Sequence, residues 1–375
     1  LGNRIGVALD SAVEIDDLFR LGHGAFLLES SEDLGVGKQI GRTIDSFEIR
    51  TAKETVDLMR LRSLYRSVLA PVFPTELEEE VQEYGKEHLV LPSLYVPSPK
   101  TCAPQNRLGK PLALIPVFPG TNCEYDTQEA LRRSGAEAEI VVIQNLSSSQ
   151  IAESVSAVAE KIRRSQIIVL PGGFSGGDEP DGSGKFITAF FRNPQISDAV
   201  RDLLQQRDGL ILGICNGFQA LIKLGLLPYG DITDPDPTAP TLTYNRIGRH
   251  QSRLVETRIA STLSPWLMDT KVGDIHTVAI SHGEGRFVCE PDLLDALVAG
   301  GQIATQYVNR KGVPSQSTHE NPNGSILAVE GLTSPDGRVF GKMGHLERYR
   351  AGLFQNVPGE KLQPIFTGAV RYFSL

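Results

Sequence analysis

Residues 209–219 read GLILGICNGFQ. The apolar run from Gly209 to Ile214 predicts a buried strand, and the residues after Cys215 predict a helix reaching about Leu224. Between them Gly213, Cys215 and Gly217 reproduce the G-x-nucleophile-x-G spacing of a nucleophile elbow, with Cys in place of Ser. Glycine on both sides allows a sharp turn without Cβ clashes. A helix starting directly after the thiol favours the thiolate and offers backbone N–H groups to a developing oxyanion. A structural cysteine in a βα turn is the competing reading, since cysteine is among the most buried residue types.

The flanking segments repeat the strand–helix alternation. Leu112–Phe118 (LALIPVF) reads as a buried strand, and Thr127–Ser134 as a helix stopped by Gly135. Glu139–Ile143 is the next strand, Ser147–Arg164 a helix entered through a serine cap, and Gln166–Leu170 a third strand. Helix resumes from Phe186. This order implies βαβ units, an α/β fold with a parallel sheet covered on both faces. Beyond Leu254 strands take over, at Leu254–Ile259, Val278–Val288 and Ile326–Met343, the last with a turn at Pro335-Asp336-Gly337.

Upstream the chain is different. Gly2 to Arg50 alternates short apolar runs (Ile5–Leu9, Ala25–Leu28) with glycines, a strand–helix–strand remnant with too few elements to close a core. From Thr51 to Leu69, Leu58, Leu61, Tyr65 and Val68 fall at helical intervals. Thr75–Glu87 is acidic, and Leu91–Pro111 holds five prolines and reads as a linker. The expected domains are therefore 1–52, a remnant of another domain, 53–110, a helical segment and linker, and 111–375, the α/β domain. The start at Leu1 suggests a piece of something longer.

Composition narrows the function. The 375 residues carry 37 Lys plus Arg against 45 Asp plus Glu, a net charge of -8, with no basic stripe to attract nucleic acid. Apolar runs stay far below the ~18 residues of a membrane span, so neither nucleic acid nor membrane is an expected partner. Cysteines 102, 123, 215 and 289 form no CxxC pair and no zinc spacing, which suits a reducing, cytoplasmic setting and no metal site.

A cysteine nucleophile needs a base, and the base needs an orienting group. Of the seven histidines, His345 stands out: in GKMGHLERY it comes after an expected strand and precedes Glu347 by two residues. Extended chain would put both side chains on one side, where the carboxylate can hold the imidazole tautomer. The third element, LPGGFSGGD from Leu170 to Asp178, puts paired glycine N–H groups near the carboxyl edge of the sheet, where an oxyanion hole belongs. A phosphate loop around Gly184-Lys185 fails: Phe186 comes after the lysine, and Glu179 occupies the first glycine position.

Together these stretches resemble the class I (triad) glutamine amidotransferases, most closely the glutaminase domains of the FGAM (phosphoribosylformylglycinamidine) synthases. The resemblance rests on PVFPGTNCEYDT (116–127), PGGFSGGDE (171–179), GICNGFQALIKLGLLP (213–228), SHGEGRF (281–287) and the 321–348 stretch, and covers about Pro111 to Leu375. The first hundred residues match more weakly the tail of the ATP-dependent synthetase half of the same enzymes. The resemblance implies a flavodoxin-like open parallel sheet and hydrolysis of glutamine through a Cys thioester. It makes Cys215 the nucleophile, His345 the acid/base, Glu347 its orienter, Gly173 and Asn216 the oxyanion-hole donors, and Gln219 and His282 substrate neighbours. Ammonia would pass to a synthetase portion that binds FGAR, ATP and Mg, with no cofactor in this chain. One departure is visible. The family often has prolines beside the histidine (PHPER), where this chain has Gly344 and Leu346.

Other residues are weaker candidates. Cys123 lies near the same sheet edge but lacks elbow glycines, while Cys289 and Cys102 read as structural or incidental. Arg249, His250 and Arg253 form a small basic cluster, facing either the synthetase half or solvent. The rival functions are a glutaminase-like interaction or regulatory module without turnover, and an amide hydrolase of the same fold acting on another substrate.

Overall fold

The computed structural model describes residues 5–20, 22–72, 107–176, 183–234 and 236–374, which fall into two compact units. The first takes in the described residues up to 72 with Asn356–Pro358. Its strands β1 (Gly6–Leu9), β2 (Gly41–Ile44), β3 (Glu48–Arg50) and β4 (Thr55–Asp57) form a sheet of order β2-β1-β3-β4. Helices α1 (Ile15–Leu18) and α2 (Leu58–Ser67) complete it. Only Gly6 and Leu58 are buried among its described residues. Ala25–Leu28, expected as a strand, forms none: Phe26 is 85% exposed, and β1 pairs with β2 and β3 instead. The helix expected over 51–69 is shorter, because β4 occupies its start and the Asp57 carboxylate caps α2 at the Met59 N–H, 2.7 Å away. Of its apolar stripe only Leu58 is buried; Tyr65 and Val68 are exposed. The acidic segment and most of the proline-rich linker, with His88 and Cys102, lie outside the described residues.

The second unit holds the described residues from 107 to Gln355 and from Gly359 onward. Its first half alternates as the sequence predicts: β5 (Leu112–Val117), α3 (Glu124–Arg133), β6 (Glu137–Val142), α4 (Ser148–Arg164) and β7 (Ile167–Leu170). Then come α5 (Lys185–Phe191), α6 (Pro194–Gln205), β8 (Leu210–Ile214), α7 (Asn216–Leu224) and α8 (Leu226–Tyr229). Local chemistry sets the boundaries. Ser147 Oγ accepts from Gln150 N at 3.3 Å to start α4. Asn193 caps α6 with Pro194 at its first turn, dividing in two the helix expected from Phe186.

The second half brings β9 (Thr241–Tyr244), β10 (Gln251–Ile259), β11 (Ile275–His282), β12 (Glu284–Val288), α9 (Pro291–Ala299), β13 (Ile303–Val308), β14 (Val329–Thr333), β15 (Val339–Lys342) and α10 (Ile365–Ser374). Nine strands form one sheet of order β11-β10-β13-β14-β15-β8-β7-β5-β6. From β15 to β6 every pairing is parallel; from β15 through β14 to β11 every pairing is antiparallel. The expected open parallel sheet is thus the parallel half of a larger mixed one, with helices on both sides.

The single strand expected over Val278–Val288 is two strands: β11 stays in the large sheet, while β12 crosses past Gly283 to pair with β9. Residues 113–115, 167–170 and 210–212 are entirely buried, as strands covered on both faces must be. No described helix is long and apolar enough to cross a membrane.

Parallel pairing fixes where the chain emerges from β15. The register sets Lys342 opposite Ile214, so the residues beyond β15 come out beside the residue that follows β8. Those residues are Gly344-His345 and Cys215.

Candidate active site

Cys215 sits between β8 and α7 with φ 51° and ψ −104°, a conformation that side chains with a Cβ rarely adopt. Two contacts explain why glycine flanks it. A Cβ on Gly217 would lie 2.0 Å from the Leu170 carbonyl oxygen of β7, and one on Gly213 would lie 2.7 Å from the Gly217 backbone. The glycines let the turn of α7 press directly onto the sheet, and that close approach holds the cysteine strained. Its N–H donates to Lys342 O at 2.8 Å, and its thiol lies 3.7 Å from Ser281 O. The side chain is 4% exposed.

His345 is fixed from two sides. Its N–H donates to Ala279 O of β11 at 2.8 Å, and its Nδ1 lies 2.7 Å from Glu347 Oε1. The Nε2 atom is buried with no hydrogen-bond partner, so the imidazole keeps one nitrogen for chemistry while the carboxylate holds the other. Burial pulls the imidazolium down, but the Glu347 carboxylate, followed by the Cys215 and Cys123 thiols, more than reverses this and holds it well above the ordinary histidine range. Burial pushes Glu347 up, and His345 outweighs it, holding the carboxyl below its usual value.

The loop after β7 faces this pair. Gly173 has φ 145° and pairs with Thr121 in an isolated antiparallel bridge. The hydrogen bonds of that bridge run from Phe174 N to Gly120 O and from Asn122 N to Gly172 O, so Gly173 occupies the non-hydrogen-bonded position and its N–H points away from the pairing. A Cβ on Gly172 would lie 2.6 Å from His345 Cε1. Asn216 Oδ1 accepts from Ser175 N at 3.2 Å, tying this loop to the elbow.

Gln219 and His282 have more internal roles than their sequence reading suggests. Gln219 Oε1 accepts from Asn216 Nδ2 at 3.0 Å, and its Nε2 donates to Glu284 O, so both amide ends brace the elbow against β12. His282 is fully buried, with Nδ1 3.1 Å from Asn245 Oδ1 and Nε2 unpartnered. Burial, then the charges of His345 and His250, push it down to about 3, so it is neutral at physiological pH.

Three sets of contacts escape the sequence reading. Cys123, at the start of α3, lies with Sγ 3.8 Å from His345 Nδ1 and accepts from Arg348 Nη2 at 3.0 Å. Ser281 links the thiol of Cys215 to His250, whose Nε2 lies 3.0 Å from Ser281 Oγ and whose ring stands 6.2 Å from that of Phe174. Beneath His345 lies a buried Lys342–Glu330 ion pair at 3.1 Å. The basic cluster disperses: His250 goes to Ser281, while Arg253 donates to His319 O at 2.7 Å. Cys289 is buried and pushed up to about 12 by that burial and by Glu290, which makes it an inert thiol.

Cys123, His345 and Glu347 offer ligand atoms within 4.8 Å of one another, the one group of potential metal ligands among the described residues. Arg348 already donates to that thiol, and Glu347 is committed to the imidazole, so a dication would meet a guanidinium and displace a hydrogen bond. The arrangement suits acyl transfer: a strained thiol, a carboxylate-held imidazole and a glycine loop with an outward N–H.

A family model for a CobB/CobQ-like glutamine amidotransferase domain matches residues 110–373. The chain is similar to the phosphoribosylformylglycinamidine synthase subunit PurQ of Methanococcus maripaludis, 34% identical over 239 residues that cover 64% of this chain and 82% of the relative. The subunit of the same name from Treponema denticola is 36% identical over 251 residues, covering 64% of this chain and 88% of the relative. Among solved structures, PurLQS from Thermotoga maritima contains a chain 27% identical, with a TM-score of 0.50, covering 70% of this chain and 99% of that one.

Proposed function

Since this chain belongs to the CobB/CobQ-like glutamine amidotransferase family, we infer that it is the glutaminase part of a phosphoribosylformylglycinamidine synthase, the enzyme its PurQ relatives serve. The observation that carries the reading is the juxtaposition made by β8 and β15, which brings a strained Cys215 beside a His345 already oriented by Glu347.

In this reading the Cys215 thiolate attacks the side-chain amide carbon of glutamine. The N–H groups of Gly173 and Asn216 receive the oxyanion. His345 donates a proton to the departing nitrogen as the C–N bond breaks, releasing ammonia and leaving a glutamyl thioester on Cys215. Water then attacks the thioester, His345 takes its proton, and glutamate leaves. Ammonia is used by a synthetase portion that binds ATP with Mg and the formamide substrate FGAR. Residues 1–52 are the tail of that synthetase portion, joined to the glutaminase through 53–110. A module without turnover is not favoured, because the groups for turnover stand together in one buried site.

The test uses separability. Cys215→Ala should abolish glutamine-dependent FGAM synthesis by the assembled enzyme, while synthesis from free ammonia persists. Equal loss of both activities in a folded variant would refute the assignment.

A further inference from the structure

The residue before His345 is a glycine, the residue type that loses most conformational freedom on folding. Unless something grips it, the imidazole behind it would be poorly placed. Glu330 Oε1 accepts from Gly344 N at 2.6 Å, and Lys342 Nζ donates to Gly344 O at 3.3 Å. With the His345 N–H held by Ala279 O, three consecutive backbone groups leading to the imidazole are fixed. Both gripping side chains are wholly buried, 3.1 Å apart, and Thr305 Oγ1 donates to the second Glu330 oxygen.

The grip also crowds any side chain at position 344, which could enter only by pushing the gripping groups aside. A Cβ on residue 344 would lie 2.9 Å from Glu330 Oε1, 2.9 Å from Lys342 Nζ and 2.8 Å from Val278 Cγ2. A proline there would add a ring and remove the N–H that Glu330 takes.

We propose that the buried Lys342–Glu330 pair is the positioning device for His345, holding by side-chain hydrogen bonds a backbone that proline rings would otherwise stiffen. It touches no substrate and acts only through the Gly344 peptide groups. A buried ion pair is weak as a source of stability and better suited to specifying one geometry. The proposal rests on the reading of His345 as the acid/base.

The experiment compares two neutral double variants of the full chain, so that neither buries an unpaired charge. Glu330→Gln/Lys342→Met keeps a carbonyl oxygen for the Gly344 N–H, and the Thr305 hydroxyl can turn to accept from the new amide. Glu330→Ala/Lys342→Met removes both grips. Glutamine hydrolysis by the alanine variant should fall about 10- to 100-fold in kcat with KM little changed, the signature of a misplaced catalytic group. The glutamine variant should recover most of kcat. Equal kcat in the two doubles would overturn the proposal.

Should either double fail to fold, amide hydrogen exchange of Gly344 and His345 in the unsubstituted chain decides. Protection of both amides supports the grip, and exchange at the rate of an open loop overturns it. Absence of glutamine hydrolysis by the unsubstituted chain, alone and with its synthetase portion, would refute the functional reading instead. The exchange measurement reports on the grip in either case.

Discussion

In the proposed reaction Glu347 and His345 act as a unit in which the carboxylate orients and the imidazole carries the proton. His345→Ala removes the carrier and should cost about 10²–10⁴-fold in glutamine turnover. Glu347→Gln keeps an acceptor but loses the charge, so its loss should be smaller, and the double variant little worse than His345→Ala alone. Steady-state kinetics with glutamine check the ranking; full activity in both Glu347→Gln and Glu347→Ala would hand the orienting role to another carboxylate. The same pair sets a pH signature. Glu347 is lowered from 4.5, so its contribution to stability is complete above that value and lost as pH falls through its folded pKa. His345 is raised from 6.5, so its contribution is complete below that value and lost as pH rises through its folded pKa. The difference in melting temperature between the unsubstituted chain and Glu347→Gln should therefore be widest between pH 4.5 and 6.5 and narrow on both sides. A difference that keeps growing above that window would mean the imidazole is not the charged partner. His345 and Glu347 were legible because they sit two apart in one stretch. Cys123 was legible at the same sheet edge, but its contact with His345 was not, since 222 positions separate the two.

At the level of elements, the elbow is a packing device. Gly217→Ala places a methyl 2.0 Å from a β7 carbonyl, and neither backbone can yield cheaply. Overpacking of this kind costs about 1–3 kcal/mol, and α7 must tilt from the sheet to relieve it, carrying Asn216, the proposed oxyanion donor, with it. Denaturant unfolding should show the lost stability, and glutamine turnover should fall by more than stability alone explains. A Gly217→Ala chain with unchanged stability would mean that the close approach of α7 to β7 is not required. Elements with local signals were readable: Ser147 starts α4, and Gly135 (φ 98°) ends α3. The break of one expected strand into β11 and β12 had no such signal. It is set by β9 and β10, which compete for the two parts, and by the small Gly283 between them.

Coupling to the proposed synthetase portion would involve both units of the chain. The N-terminal unit exposes Phe26, Leu27 and Val72, at 85%, 80% and 80%. We expect the chain alone to be a slow glutaminase that speeds up when the synthetase portion, FGAR and ATP are added, because uncoupled hydrolysis wastes glutamine. Glutamate release measured before and after the addition tests this. A chain already at the assembled enzyme's rate, unmoved by the addition, would sink the coupling while leaving the triad in place.

The βαβ alternation, the elbow around Cys215 and the His345–Glu347 pair were all legible before any contact was known. Each is written in contiguous residues through apolar spacing, glycine placement and caps, which act over a few positions of the chain. The remaining features come from long-range packing. The antiparallel extension of the sheet, Arg348 on Cys123 and the Lys342–Glu330 grip on Gly344 join residues from separate strands and loops. Such contacts depend on strand order and register, and a buried charge reveals its purpose only when its partner is beside it.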